Sequence, residues 1–377
     1  MQKSLMVLAT LSLTALFSTG VFAFEGSICS SPLEKICNET KEVRKERDQY
    51  VDTLKQEILK EANKSAEPRI AEMKQKISAF HFIKRMIQTY KIRNQEIMRV
   101  AKTRVGDLES VVTSEENISK IKNYIYQAID ESKFDELTKE SFKNNIKSIV
   151  VGNFADYIEK TGLDESVILQ FLGNACGSDG LVDNAFATTL KGERYVLVCP
   201  GFLITLKQKN DSKERFNSIL HAISHEMGHH IDGSKVDSKL YEPYRNCLAK
   251  NYADQFKRSK KDDKFCKEKT TDAATCNRQV VDSHSGELEA DQWGILVTAI
   301  HARSEMYSNF EAESMLTSSW AKLCETGDEG IHPTGDFRIN KLMSKNANIR
   351  NVLACASGEM DEVPACGFEG EMKQSSL

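Results

Sequence analysis

Seven of the eight histidines lie after residue 220, and two of them belong to the run His225-Glu226-Met227-Gly228-His229. On a helix, two histidines four apart rise only about 6 Å and point the same way, so both imidazoles can meet one cation. Glu226 then faces the open side of that ion, where it can take a proton from a water acidified by the metal and pass it to a leaving amine. That is chemistry for hydrolysing a peptide bond. His221 extends the stripe by a turn, but its ends are about 12 Å apart, too far for one ion, so His221 is expected to pack or to support. Two imidazoles leave a catalytic zinc site one protein ligand short. Glu287-Leu288-Glu289-Ala290-Asp291 can complete it: Glu287 and Asp291 share one helix face, Glu287 to coordinate the ion and Asp291 to accept an N–H from a ligand histidine and fix its tautomer.

These side chains need elements to carry them. Apolar spacing predicts a helix from about Ser212 to Ile231 and another from about Ser285 to Met306, separated by a charged insertion over 232–284. The run Lys257-Arg258-Ser259-Lys260-Lys261 in that insertion reads as solvated surface or a lid. Upstream, Asp183–Leu190 and Arg194–Cys199 flank Lys191-Gly192-Glu193 and read as a β-hairpin. The first 160 residues read as mostly helical. One helix is expected from Leu33 to Asn63 and a second from Pro68 to about Val105, turning Ile70, Met73, Ile77, Phe80, Ile83, Ile87 and Tyr90 inward; shorter helices follow over 117–129 and 133–158. His81, with no nearby partner, is read as structural. The expected class is α+β: a mostly helical N-terminal region, then a domain with a small β-sheet or hairpin beside the metal helix.

Composition narrows the classes. The chain has 377 residues, a net charge of −4, 40% apolar and 28% charged residues, enough core for a globular protein and no basic excess for nucleic acid. Residues 1–23 have the layout of a cleaved secretory signal, with Lys3, an apolar run from Leu5 to Phe17 and a Val21-Phe22-Ala23 exit. No later stretch is apolar enough to span a bilayer, so stable membrane insertion is not expected, and the location expected is periplasmic or secreted. All ten cysteines follow residue 23, which favours disulfides. Proximity suggests Cys29–Cys37, Cys176–Cys199 and Cys355–Cys366, with Cys247, Cys266, Cys276 and Cys324 pairing among themselves.

His225-Glu226-x-x-His229 followed by Glu287-x-Glu289-Ala290-Asp291 resembles the HtpX and CAAX-prenyl-protease family of gluzincin metallopeptidases, particularly its soluble periplasmic branch. Asp183–Thr188 with Tyr195–Val198 is similar to the family's strand pair, and His332-Pro333-Thr334 with Arg338-Ile339 to its late His-Pro segment. The resemblance spans about residues 165–345. It implies a zincin-type domain over 163–345, after a signal peptide (1–23) and a helical region (24–162) and before a disulfide-bearing tail (346–377). It further implies Zn2+ on His225, His229 and Glu287, Glu226 as general base and acid, and His332 steadying the oxyanion or blocking the metal. Arg338 would support that segment. The edge Asn184, Ala185, Phe186 and Ala187 would bind an extended polypeptide substrate. The membrane helices of the family's other branches are absent from the pattern. Three readings follow: a zinc endopeptidase for extended or unfolded extracytoplasmic proteins, whose N-terminal helices meet a protein partner; a zinc-stabilised chaperone or assembly factor; or an enzyme held latent by residues 24–160 as a pro-segment.

Overall fold

The computed structural model describes residues 27–38, 41–106, 108–154, 157, 175–177, 181–209, 211–231, 239–269, 272–325, 327, 332–355 and 365–367. The expected signal segment lies outside them. The class is α+β: helices dominate, and one three-stranded sheet has the order β1-β3-β2.

The chain opens with α1 (Pro32–Cys37) and a long antiparallel pair, α2 (Lys41–Lys76) and α3 (Phe82–Val105). The expected break at Pro68 is absent, because α2 runs through it. An interior proline costs about 3 kcal/mol. Here Pro68 lies on the exposed face, while Ala62, Ala66 and Ile70 are buried on both sides of it. The expectation that Phe80 and Ile83 turn inward also fails, since both stand in solvent where the two helices join. The side chains of Ile87 and Tyr90 lie outside the described set.

Next come α4 (Leu108–Thr113), α5 (Glu115–Glu131) and α6 (Glu136–Lys147). Ser114 and Asp135 cap α5 and α6 by accepting from Asn117 N and Thr138 N. The helix expected over 133–158 ends early, and Val150–Asn153 forms β1, parallel to β3. The hairpin is present as β2 (Ala185–Leu190) and β3 (Glu193–Val198), paired from Ala185↔Val198 to Leu190↔Glu193. Its turn residues Lys191 (φ 51°) and Gly192 (φ 84°) are both left-handed, as a two-residue type I′ turn requires. β3 is buried on both faces: Val196 and Val198 join the main core, while Tyr195 and Leu197 pack with Met98, Phe154 and Tyr157.

Helix α7 (Pro200–Leu206) leads to α8 (Ser212–Ile231), whose Phe216, Ile219, Leu220, Ile223, Met227 and Ile231 follow a three/four spacing and are all buried. The insertion folds as α9 (Glu242–Tyr252) and α10 (Lys260–Glu268), with residues 257–261 exposed. Helix α11 (Ala273–Ser304) starts twelve residues before the expected Ser285, capped by Asp272, and is buried on nearly every side from Glu287 to Ala302. It is the central post, packed against α5, α8, α9, α12 (Asn309–Trp320) and α13 (Ala347–Val352). A single turn, Gly335–Phe337, passes into a π-helical turn, Arg338–Met343. One buried cluster extends from Ile28 to Cys366 and joins the N-terminal helices to α8 and α11.

The disulfides are Cys29–Cys355, Cys37–Cys324, Cys176–Cys199, Cys247–Cys366 and Cys266–Cys276. Of the expected pairs Cys176–Cys199 is present. Cys29–Cys37 and Cys355–Cys366 are not, and Cys247 and Cys324 pair outside their expected group. The fold returns residues 27–38 to the far end of the chain, so neighbours in sequence are not neighbours in space. No described helix is long and apolar enough to cross a membrane.

Candidate metal centre

The centre depends on how closely α8 and α11 approach. A Cβ added at Gly228 would come within 2.9 Å of the Ala290 backbone, and one at Gly294 within 2.9 Å of the His221 ring. Both glycines sit in helix interiors, where glycine costs about 1 kcal/mol relative to alanine. Their lack of a side chain lets the two helices touch at the level of the histidines.

This contact gathers His225, His229 and Glu287, whose ligand atoms lie within 4.8 Å of one another. Glu287 Oε2 is 3.3 Å from His225 Nε2, 3.7 Å from His229 Nε2 and 3.0 Å from His332 Nε2. It is shielded from solvent and accepts no aligned hydrogen bond. An acceptor left so among three imidazole nitrogens is what a cation would satisfy, and two imidazoles with one carboxylate form a donor set suited to a divalent transition metal. The group could therefore hold a metal ion.

Supporting contacts orient the donors. His225 Nδ1 is 2.8 Å from Asp291 Oδ1. Asp291 also accepts from Arg338, through Nε at 2.7 Å and through Nη2. With its Nδ1 proton given to Asp291, His225 presents Nε2 to the site. Glu289 is engaged by Arg245 Nε at 2.6 Å, which separates its role from that of Glu287 two residues earlier. His230 Nε2 donates to Tyr195 O at 2.9 Å and Ala187 N donates to Glu226 Oε2 at 2.8 Å, so consecutive turns of α8 are fastened to β3 and β2.

The electrostatics fit a site built for positive charge. Burial opposes a charged His225, but the hydrogen bond to Asp291 and the contact with Glu287 prevail and raise it to about 10. Burial, reinforced by His225, lowers His229 to about 4. Glu287 resists burial and stays well below the usual carboxylate range beside His225 and His332. Asp291 does likewise, beside Arg338 and His225. Burial pushes Glu226 up to about 7, with Glu287 adding to the rise and His225 opposing it. His332, half-exposed, is raised by its contact with Glu287.

Each residue singled out from sequence can be located. His225, Glu226, His229, Glu287, Asp291, His332 and Arg338 form one connected set. Ala185 and Ala187 lie on edge strand β2. Asn184 Nδ2 donates to Ala175 O at 2.9 Å, and the Phe186 ring packs edge-on against Phe154, with centroids 5.4 Å apart. His221 is buried against Gly294, its ring centroid 6.0 Å from that of His225. Gly228, Gly294 and His230 went unassigned, although two glycines inside otherwise helical patterns were a visible signal. Comparison with protein-family models, curated proteins and solved structures returned no match to the chain, so the character of the centre rests on its own geometry.

Proposed function

We propose that the chain is a zinc-dependent endopeptidase of the HtpX-like gluzincin type, with a zincin-type domain, acting on extended or unfolded polypeptides outside the cytoplasm. The observation that carries this reading is the convergence of His225, His229 and Glu287 with Glu226 bound to the β2 edge. His225 and His229 would hold the ion through imidazole nitrogens and Glu287 through a carboxylate oxygen. When bound, zinc supplies Lewis acidity, polarising a carbonyl and lowering the pKa of a water to about 7.

The chain's own groups do the rest. Asp291 holds the Nδ1 proton of His225 and so keeps the other ring nitrogen free as a donor. Glu226, held near 7 by burial, suits a group that takes a proton near neutral pH and returns it to the leaving amine. His332 approaches the same centre from the segment after α12, and its contact with Glu287 favours the protonated ring, the form that can steady a developing oxyanion. In a type I′ hairpin the closing pair, Leu190↔Glu193, is hydrogen-bonded. Ala187 and Thr189 therefore turn their backbone groups away from β3. Ala187 N meets Glu226, while its carbonyl and the exposed Thr189 remain for an extended substrate backbone, which favours loose sequence selectivity.

The deciding experiment is metal content and casein hydrolysis for wild type and Glu226→Gln purified in parallel. Equal zinc is expected in both, with hydrolysis lower by about 10²- to 10⁴-fold in the variant. Equal hydrolysis by both overturns the mechanism. Full zinc with no hydrolysis by either supports the zinc-stabilised chaperone instead.

A further inference from the structure

The junction of α2 and α3 carries a surface that the metal centre does not use. Of the large apolar side chains exposed among the described residues, four fall within one stretch of seven: Phe80 (98% exposed), Phe82 (71%), Ile83 (67%) and Met86 (56%). The same stretch is strongly basic. Between Glu72 and Glu96 the chain has Lys74, Lys76, Lys84, Arg85, Lys91 and Arg93 and no acidic residue, in a protein whose net charge is −4.

The tip has a defined shape without these apolar groups. Arg85 Nε donates to Ile77 O at 2.6 Å and its Nη2 to Lys74 O, so a cation closes the C-terminal end of α2. Farther down, Ala66, Ile70 and Ile92 form a small core separate from the main one. Glu96 ties the two helices together, accepting from Ser65 at 2.8 Å and Arg69 at 2.6 Å. Along α2, Lys76 lies about 20 Å beyond Ala62, the last α2 residue in the main core. Phe80, Phe82 and Ile83 thus contribute little burial to the fold, and keeping them in water forfeits the stability that burying them would bring.

A protruding apolar tip backed by cations, of which Lys76 is paired with Glu72 at 2.6 Å, matches an acceptor that is apolar inside, anionic outside and without fixed shape. A groove would point to a shaped protein segment; here the apolar groups sit on a convex turn. We propose that the α2–α3 tip docks the protein on an anionic lipid surface, with Phe80, Phe82 and Ile83 entering the boundary between headgroups and acyl chains. Lys74 and Lys84 meet the lipid phosphates. Because only the turn between two charged helices would enter the lipid, the contact proposed is peripheral. It is independent of the peptidase reading.

The test is flotation of the full chain with phosphatidylcholine vesicles, with and without one third phosphatidylglycerol. Wild type should bind the anionic vesicles at least about tenfold more strongly, and less as salt rises. Phe80→Ser/Phe82→Ser/Ile83→Ser should lose more than about a hundredfold in partitioning. Lys74→Gln/Lys84→Gln should lose about 25-fold, near fivefold per cation. Both variants should melt as wild type does, since these side chains support nothing in the fold. Undiminished binding by the triple variant overturns the proposal, as does equal, salt-insensitive binding to both vesicle types. Self-association of wild type that the triple variant abolishes, without vesicle binding, assigns the tip to a second copy of the chain and also overturns it.

Discussion

Alanine at Gly228 tests whether helix proximity builds the metal centre. In an unobstructed helix interior, Gly→Ala stabilises by about 1 kcal/mol through backbone entropy. At Gly228 the new Cβ would lie 2.9 Å from Ala290 Cα and 3.2 Å from its carbonyl oxygen, both backbone atoms of α11. Those atoms cannot rotate aside, so α8 and α11 must separate by several tenths of an ångström, an overpacking cost of about 1–3 kcal/mol. The net expectation is a loss of about 0–2 kcal/mol in urea melts of the metal-free protein, where Gly→Ala alone would give a gain. Because the separation pulls Glu287 from the two histidines, zinc affinity, measured by competition with a chromophoric chelator, should fall at least about tenfold. Gly286→Ala is the control: it lies in α11, the helix that Gly228 of α8 meets, with nothing within 4 Å of its added Cβ, and should gain about 0.5–1 kcal/mol. A Gly228→Ala protein stabilised as much as Gly286→Ala, with unchanged zinc binding, would refute the reasoning.

Removing Arg338 leaves Asp291 buried with a charge that His225 alone must balance; Arg338→Met should cost about 3–5 kcal/mol in chemical denaturation. It should also weaken zinc binding about 10- to 100-fold in the same chelator assay. Burial lowers His301, between Tyr124 and Asn217, to about 4. Because that folded-state value lies below the unfolded one, its neutral form contributes stability above about pH 6.5 that is lost as pH falls toward 4. The stability difference between wild type and His301→Gln should therefore shrink by about 3 kcal/mol between pH 6.5 and 4, and urea melts giving a constant difference would contradict it. Cys37→Ser/Cys324→Ser opens a link across 287 residues and should cost about 2–5 kcal/mol by thermal melting under oxidising conditions.

What could be read from sequence was mostly local. Helix α8 has a three/four apolar spacing and its chemistry within one turn, and Lys191-Gly192 supplies the left-handed pair its hairpin needs. The pairing of α8 with α11 was reachable because Glu287 and Asp291 share a face, a choice with which the Arg245 partner of Glu289 agrees. The failures involve distant contacts. Strand β1 pairs with residues 45 positions away, Val150 with Tyr195, and no local period announces that. Pro68 is a breaker by its own chemistry and is overruled by burial on the opposite face of α2. Proximity predicted one disulfide, Cys176–Cys199, and failed where the chain returns on itself. Inward placement of Phe80 and Ile83 followed from continuing a helical period past the point where the helix stops.

The N-terminal residues also bear on latency. Residues 27–38 are bound to the part of the chain that carries His332 and Arg338: Cys37 is linked to Cys324 and Cys29 to Cys355, on either side of that segment. Leu33 N donates to Asn340 Oδ1 at 3.2 Å and Ile28 N to Glu313 Oε1 at 2.7 Å. Arg338 in turn holds Asp291, and Asp291 holds His225. A pro-segment must leave a working site behind when it departs. A chain cut near residue 162 would either keep residues 24–160 through two disulfides or, after their reduction, lose β1 and the supports of the His332 segment together. Residues 27–38 thus support the segment that carries His332 and Arg338, which does not fit a pro-segment that departs and leaves the site intact.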